Sequence, residues 1–129
     1  VIVSTPQAVA AADAKKAIMM FKQPQINIPI IGVVENMAYF TPAELPGNKY
    51  YLFGKGGAQK MAEQFELPFL GEVPLIQSIR EGGDSGIPAV LDDTNPAGAI
   101  FMELAGNVAR NISLRNANLE PTKVVQMEV

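Results

Sequence analysis

The chain has 129 residues, enough for one domain with a core of its own, though near the small end for a doubly wound sheet. Ten Lys and Arg against thirteen Asp and Glu leave it mildly acidic with no basic run, so charge points to neither nucleic acid nor a membrane surface as partner. Cysteine and histidine are both absent, which excludes disulfides, thiolate or imidazole metal ligands, cysteine nucleophiles and histidine acid–base chemistry from this chain.

Val1-Ile2-Val3-Ser4 reads as a short strand and lacks the basic and small-residue parts of a signal peptide. No apolar run approaches the ~20 residues of a membrane span, so a soluble, cytoplasmic protein is expected. Because the strand pattern begins at once, with Val instead of Met, the chain is expected to be a piece of a longer polypeptide. Thr5 and Pro6 predict an N-cap and a first helical residue. The helix after them carries one apolar stripe through Ala10, Ala14, Ala17, Ile18 and Phe21, and Asp13 reads as a solvated charge off that stripe.

Residues 28–37 read Ile-Pro-Ile-Ile-Gly-Val-Val-Glu-Asn-Met, an apolar run stopped by an acid and an amide. This predicts a strand over 28–34 that is buried on both faces, and hence a right-handed βαβ unit in a parallel sheet. Ligands gather beyond the carboxyl ends of such strands, which is where Glu35, Asn36 and Met37 are expected.

Residues 38–53 contain a Pro46-Gly47-Asn48 turn signal followed by Tyr50 and Tyr51, and predict a small hairpin arm or an ordered excursion. Four aromatics here, Tyr39, Phe40, Tyr50 and Tyr51, predict a protein contact, most simply between two subunits. Gly54-Lys55-Gly56-Gly57 reads as a flexible entry to a helix with Ala58, Met61, Ala62 and Phe65 on its inner face. Residues 69–73 predict a third strand ended by Pro74, after which two helical turns over 75–81 stop at Gly82-Gly83. A loop over 84–90 leads to an extended apolar piece. Thr94-Asn95-Pro96 then opens a last helix whose buried face is Ala97, Ile100, Phe101, Leu104 and Val108. From Arg110 onward no period is sustained, so 1–110 is expected to be the α/β unit and 111–129 a tail or interaction arm.

Five ordered blocks carry a resemblance: Val1-Ile2-Val3-Ser4-Thr5-Pro6-Gln7; Gly32-Val33-Val34-Glu35-Asn36-Met37; Phe53-Gly54-Lys55-Gly56-Gly57; residues 68–75; and Ile79-Arg80-Glu81 with Asp84-Ser85-Gly86-Ile87-Pro88. Over residues 1–108 the chain resembles the C-terminal half of the Mrp (ApbC) family, P-loop ATPases related to MinD and ParA that act in iron–sulfur cluster assembly. The resemblance implies part of a three-layer α/β/α fold, ATP as ligand with Mg²⁺ in the longer parent, a homodimer, and iron–sulfur client proteins. It assigns Asn36 to the adenine edge and Pro74 with Leu75 to the wall of the base pocket. An Asn amide offers a donor beside an acceptor, matching adenine N7 and N6. Asn36 and Pro74 are then expected to emerge side by side from neighbouring strands and frame one slot of nucleobase width.

The chain departs from the family pattern in two places. The phosphate loop Gly-x-x-x-x-Gly-Lys-Ser/Thr is missing, so this segment alone is not expected to hydrolyse ATP. Where many members carry Cys-x-x-Cys, this chain reads Tyr39-Phe40-Thr41-Pro42-Ala43-Glu44-Leu45, which cannot hold a cysteine-ligated cluster. Two other readings of the same scaffold are a ParA- or MinD-like positioning ATPase, which needs a membrane helix or a basic face, and a non-catalytic module with a vestigial pocket.

Overall fold

In the computed structural model, which describes residues 1–122, three apolar segments form one parallel sheet in the order β1-β2-β3. These are β1 (Ile2–Ser4), β2 (Val33–Phe40) and β3 (Phe69–Leu75). Each parallel step needs a crossover, supplied by α1 (Ala8–Phe21) and α2 (Gly57–Gln64). Both helices pack on the same face, around Ile2, Ala14, Ile18, Val33, Ala58, Met61 and Ala62. The opposite face is a second core of Val34, Leu70 and Val73, covered by Phe101, Leu104 and Val108 of α4 (Pro96–Asn118). A helix layer on each side of a parallel sheet is the expected three-layer arrangement.

Several boundaries differ from those expected, each for a local reason. Helix α1 starts at Ala8, not Pro6, because Thr5 Oγ1 donates to Gln7 Oε1 (3.1 Å) and caps no backbone N–H. Strand β2 begins at Val33, not Ile28, because both neighbours begin there: Ile2 and Phe69 each pair with Val33. It then runs through Glu35-Asn36-Met37 to Phe40. Strand β3 continues through Pro74 to Leu75.

Within β3, Val33 pairs with Phe69 but Val34 pairs with Gly71, so Leu70 is bulged out and reaches the same core as Val73. Its carbonyl accepts from Asn107 Nδ2 (2.9 Å), which ties α4 to the bulge.

Helix α3 (Gln77–Ser85) passes through Gly82-Gly83 instead of stopping there. It ends at Gly86, which takes a left-handed φ of 73°, with the Ile87 N–H donating back to the Gly82 carbonyl (2.8 Å). The expected loop and extended piece are replaced by the end of α3 and a single 3₁₀ turn (Ala89–Leu91). Arg80, Glu81 and Asp84 pair on the exposed side of α3, where such ion pairs contribute little. Asp13 likewise pairs with Lys16 in solvent.

Helix α4 is capped as its sequence predicts, Asn95 Oδ1 accepting from the Ala97 N–H (3.0 Å). Just before it, the Thr94 hydroxyl and N–H hold the Asp92 carboxyl below its ordinary pKa. That contact is therefore present above the unfolded pKa and lost as pH falls through the folded one. The expected irregular segment from Arg110 is helical as far as Asn118, so α4 runs across the 110/111 boundary. Asn111, Ser113 and Asn118 bond back to carbonyls one turn earlier, so their side-chain donors are paired within the helix itself. Residues 123–129 of the expected arm lie outside the described residues.

Gly106 sits in the middle of α4 with open space around the position a Cβ would take. Gly106→Ala is therefore expected to stabilise the fold by about 1 kcal/mol through helix propensity alone, read as a raised denaturation midpoint.

Candidate ligand-binding edge of the sheet

The carboxyl ends of the three strands share one edge: Ser4 pairs with Glu35, Glu35 with Glu72, and Asn36 with Val73. This is the edge at which open parallel sheets take ligands.

Glu35, expected to face a ligand, does not. Its side chain is 1% exposed, and its two carboxylate oxygens accept from the backbone N–H groups of Gly56 (3.1 Å) and Ala58 (2.7 Å). The N-cap position of α2 is Gly56, which has no side chain to cap with, so a carboxylate from the sheet takes that role. An anion position at a helix start is thereby filled by the protein itself. The Gly-rich entry is also held in a defined shape: Gly56 takes a left-handed φ of 68°, and Gly57 lies so close to Pro6 that a Cβ would meet its carbonyl oxygen at 2.1 Å. Strand β2 and the β1–α1 turn together specify where α2 begins.

Asn36 is half-buried at the last regular pair of β2. Its Oδ1 accepts from the N–H of Met37 (2.9 Å), and among the described residues its Nδ2 donates to nothing. Met37 has a φ of 53°, unusual for a residue with a side chain. The next pair is Phe40 with Leu75, so four steps on β2 match two on β3. Pro74 has no N–H to donate, which is where the regular ladder lapses.

Pro74 is buried and Leu75 half-buried. The register places Pro74 one step beyond the partner of Asn36, so the two backbones are adjacent. The pleat, however, turns Asn36 with Val73 toward α4 and Pro74 toward the other face. The expectation of one slot lined by both side chains is corrected to two neighbouring strand ends that a ligand lying across the edge would meet together.

Beyond Asn36 the excursion is ordered. Phe40 and Tyr50 exchange both backbone N–H···O bonds (2.8 Å each), closing a small antiparallel arm. Tyr39 and Tyr51 stack edge to face at 6.3 Å, with Lys49 over Tyr39 at 4.0 Å and Lys55 over Tyr51 at 4.8 Å. Each such cation–π contact contributes roughly 0.5–1 kcal/mol at an exposed site. The hydrophobic outer side of this arm stays in solvent, with Met37, Phe40, Leu45, Tyr50, Tyr51 and Leu52 all exposed.

A separate apolar cavity of about 450 Å³ lies between α3, the 3₁₀ turn and α4, lined in part by Ile79, Ile87, Val90 and Phe101; Asn36, Pro74 and Leu75 do not line it. Among the described residues no group of three Asp or Glu converges as a metal site, and no helix is long and apolar enough to cross a membrane.

The pairing of Asn36 Oδ1 with Met37 and the tertiary cap by Glu35 left no mark on the periodicity. Only the positions of Asn36 and the glycines signalled that something was held there.

The profile described as the NUBPL iron-transfer P-loop NTPase family, within ParA, matches residues 1–109. An iron–sulfur cluster carrier protein of Synechocystis is 44% identical over 114 residues, covering 84% of this chain and 32% of its own. An Arabidopsis thaliana protein named as an iron–sulfur protein required for NADH dehydrogenase, mitochondrial, is 39% identical, covering 100% of this chain and 40% of its own. Among solved structures, a nucleotide-binding protein of Archaeoglobus fulgidus in complex with ADP is 38% identical with a TM-score of 0.54, covering 65% of this chain and 34% of that one. The cell division ATPase MinD of Pyrococcus furiosus, 22% identical with a TM-score of 0.59 over 84% of this chain and 41% of its own, shares the fold. The chain thus spans about a third of the length of the curated relatives it matches.

Proposed function

Because this chain belongs to the NUBPL iron-transfer P-loop NTPase family, we propose that it forms the base-binding and subunit-contact part of an ATP-binding ATPase acting in iron–sulfur cluster assembly or transfer. The observation that carries the reading is the Asn36 amide, half-buried at the carboxyl edge of the sheet with Nδ2 unengaged among the described residues, next to the strand end formed by Pro74 and Leu75. In this reading Asn36 reads the adenine edge, while Pro74 and Leu75 supply apolar contact that selects no base.

The residues present fit the base and not the phosphates. The chain has no phosphate loop, and Glu35 occupies the start of α2. Phosphate binding, Mg²⁺ coordination and hydrolysis therefore belong to residues outside this segment, and this segment takes no part in the chemical step.

Cluster handling falls under the same limit. With no cysteine, this chain contributes no thiolate ligand, and its share in the transfer is structural. The exposed aromatic arm from Tyr39 to Tyr51 is the surface we assign to a homodimer contact, with iron–sulfur client proteins as the further partners. A cytoplasmic location is part of the proposal, and a tagged protein found within an organelle would overturn that part.

The test is nucleotide affinity in the full polypeptide that carries this segment. Asn36→Ala is expected to weaken ATP by roughly 10-fold, the loss of about 1.4 kcal/mol of hydrogen bonding, and to leave UTP nearly unchanged. Equal loss for both nucleotides would remove Asn36 from the base.

A further inference from the structure

We propose that the cleft between α3, the 3₁₀ turn and the start of α4 is a docking site for a basic amphipathic segment of a partner protein. Apolar side chains of that segment enter the cavity, and its Lys or Arg residues meet the carboxylates beside it. Neither the base edge nor the aromatic arm lines this cleft, so the proposal goes beyond the nucleotide reading and does not depend on it.

The cleft is open because of the residues that enclose it. Gly82, Gly83 and Gly86 form its α3 side and bring no side chains to fill it. Gly82 is required by the tight end of α3, where a Cβ would meet the Ile87 carbonyl oxygen at 2.6 Å. Ile79 and Phe101 line the cavity and also pack on the second core of Val34, Leu70 and Val73, which gives it a fixed base. Its volume of about 450 Å³ is large enough for a ligand, but every side chain lining it is apolar, so a small polar molecule would find nothing to orient it. The apolar surface continues outward through Ile87, Val90, Leu91 and Met102, all exposed.

Charge narrows the occupant. Val90 also lines the adjoining hollow at the start of α4, where Asp92 and Asp93 stand with Met102. Residues 76–109 hold five acids, Glu81, Asp84, Asp92, Asp93 and Glu103, against one base, Arg80: a net charge of −4, where the rest of the chain has +1. All five acids are exposed, and Thr94 holds the Asp92 carboxyl ionised to lower pH than usual. A surface of this sign repels nucleic acid and anionic membrane. A second copy docked by two-fold symmetry would set the same patch against itself, acid facing acid. A segment with apolar anchors flanked by Lys or Arg is complementary in both respects, and grooves between helices take such segments as amphipathic helices.

The experiment titrates the full polypeptide that carries this segment with a fluorescent synthetic peptide of leucine and lysine, leucine at helical spacing. The same peptide with glutamate in place of lysine is the control, and amide hydrogen exchange locates the contact. The lysine peptide is expected to bind at least ~10-fold more tightly than the glutamate peptide and to slow exchange over residues 79–91. Val90→Arg sets a long cation at the mouth of the cleft and is expected to weaken the lysine peptide at least ~10-fold, with nucleotide affinity unchanged. Asp93→Lys changes charge without filling the cavity and should weaken it about 5-fold. Equal binding of the two peptides, slowed exchange elsewhere only, or full affinity in both variants would overturn the proposal. Failure of the lysine peptide to bind would also overturn it; if Val90→Arg then lowers the oligomeric state, the cleft is a contact between copies of the chain.

Discussion

Glu35→Ala is expected to destabilise the fold by roughly 3–5 kcal/mol, the largest effect of any single side-chain truncation at the sheet edge, because it strands two backbone donors at once. The Gly56 and Ala58 N–H groups each lose their partner, and the space left by a side chain 1% exposed gives water little access to replace it. An unsatisfied buried donor costs about 1–3 kcal/mol, and loss of the favourable charge at the helix start adds some tenths more. Against a typical domain stability of about 5–15 kcal/mol, the remaining margin is small. Glu35→Gln keeps one acceptor oxygen and should lose about half as much. Urea denaturation of the two variants beside the unsubstituted protein reads both values; a Glu35→Ala midpoint equal to that of the parent would show that α2 needs no cap from the sheet.

Gly57→Ala is expected to destabilise by about 2 kcal/mol, although the same exchange inside a helix normally stabilises by about 1 kcal/mol. The sign turns on space. A Cβ at Gly57 would stand 2.1 Å from the Pro6 carbonyl oxygen and 2.8 Å from its carbonyl carbon, both backbone atoms that no rotamer change can move aside. Relief requires the β1–α1 turn or the start of α2 to shift, and α2 is pinned there by Glu35. Gly106→Ala, with open space in α4, is the paired control of opposite sign. Denaturation midpoints that move in the same direction for the two variants would refute the close approach of the two turns.

The elements carried by period and caps were legible from the residues. The β1 pattern, the inner stripe of α1 through Ala14 and Ile18, the Ala58-Met61-Ala62 face of α2 and the Asn95 cap of α4 all arise from local chemistry, and each holds in the fold. What failed was set by neighbours. The run at 28–31 has the composition of a strand, but a strand is as long as its partners allow, and both partners start opposite Val33. Glu35 stands at the position of a ligand contact, yet which way a strand-end acid turns depends on a helix start about twenty residues later. The helix beyond Arg110 has no apolar period because little of the protein lies under it, and its polar side chains return to its own backbone. At the candidate site, the adjacency of Asn36 and Pro74 was foreseeable from two parallel strands. Their opposite facing was not, since it depends on the Leu70 bulge that shifts the register by one.

Helix α2 is held at both ends by other elements. Glu35 of β2 takes the N–H groups at its start, and Lys22, just past α1, donates from Nζ to the Phe65 carbonyl at its end (3.0 Å) while lying over the Phe65 ring. Eight residues are too few to nucleate a helix alone in water. The short helix α2 therefore draws its stability from the second strand and the end of the first helix, and it ties those two elements to each other.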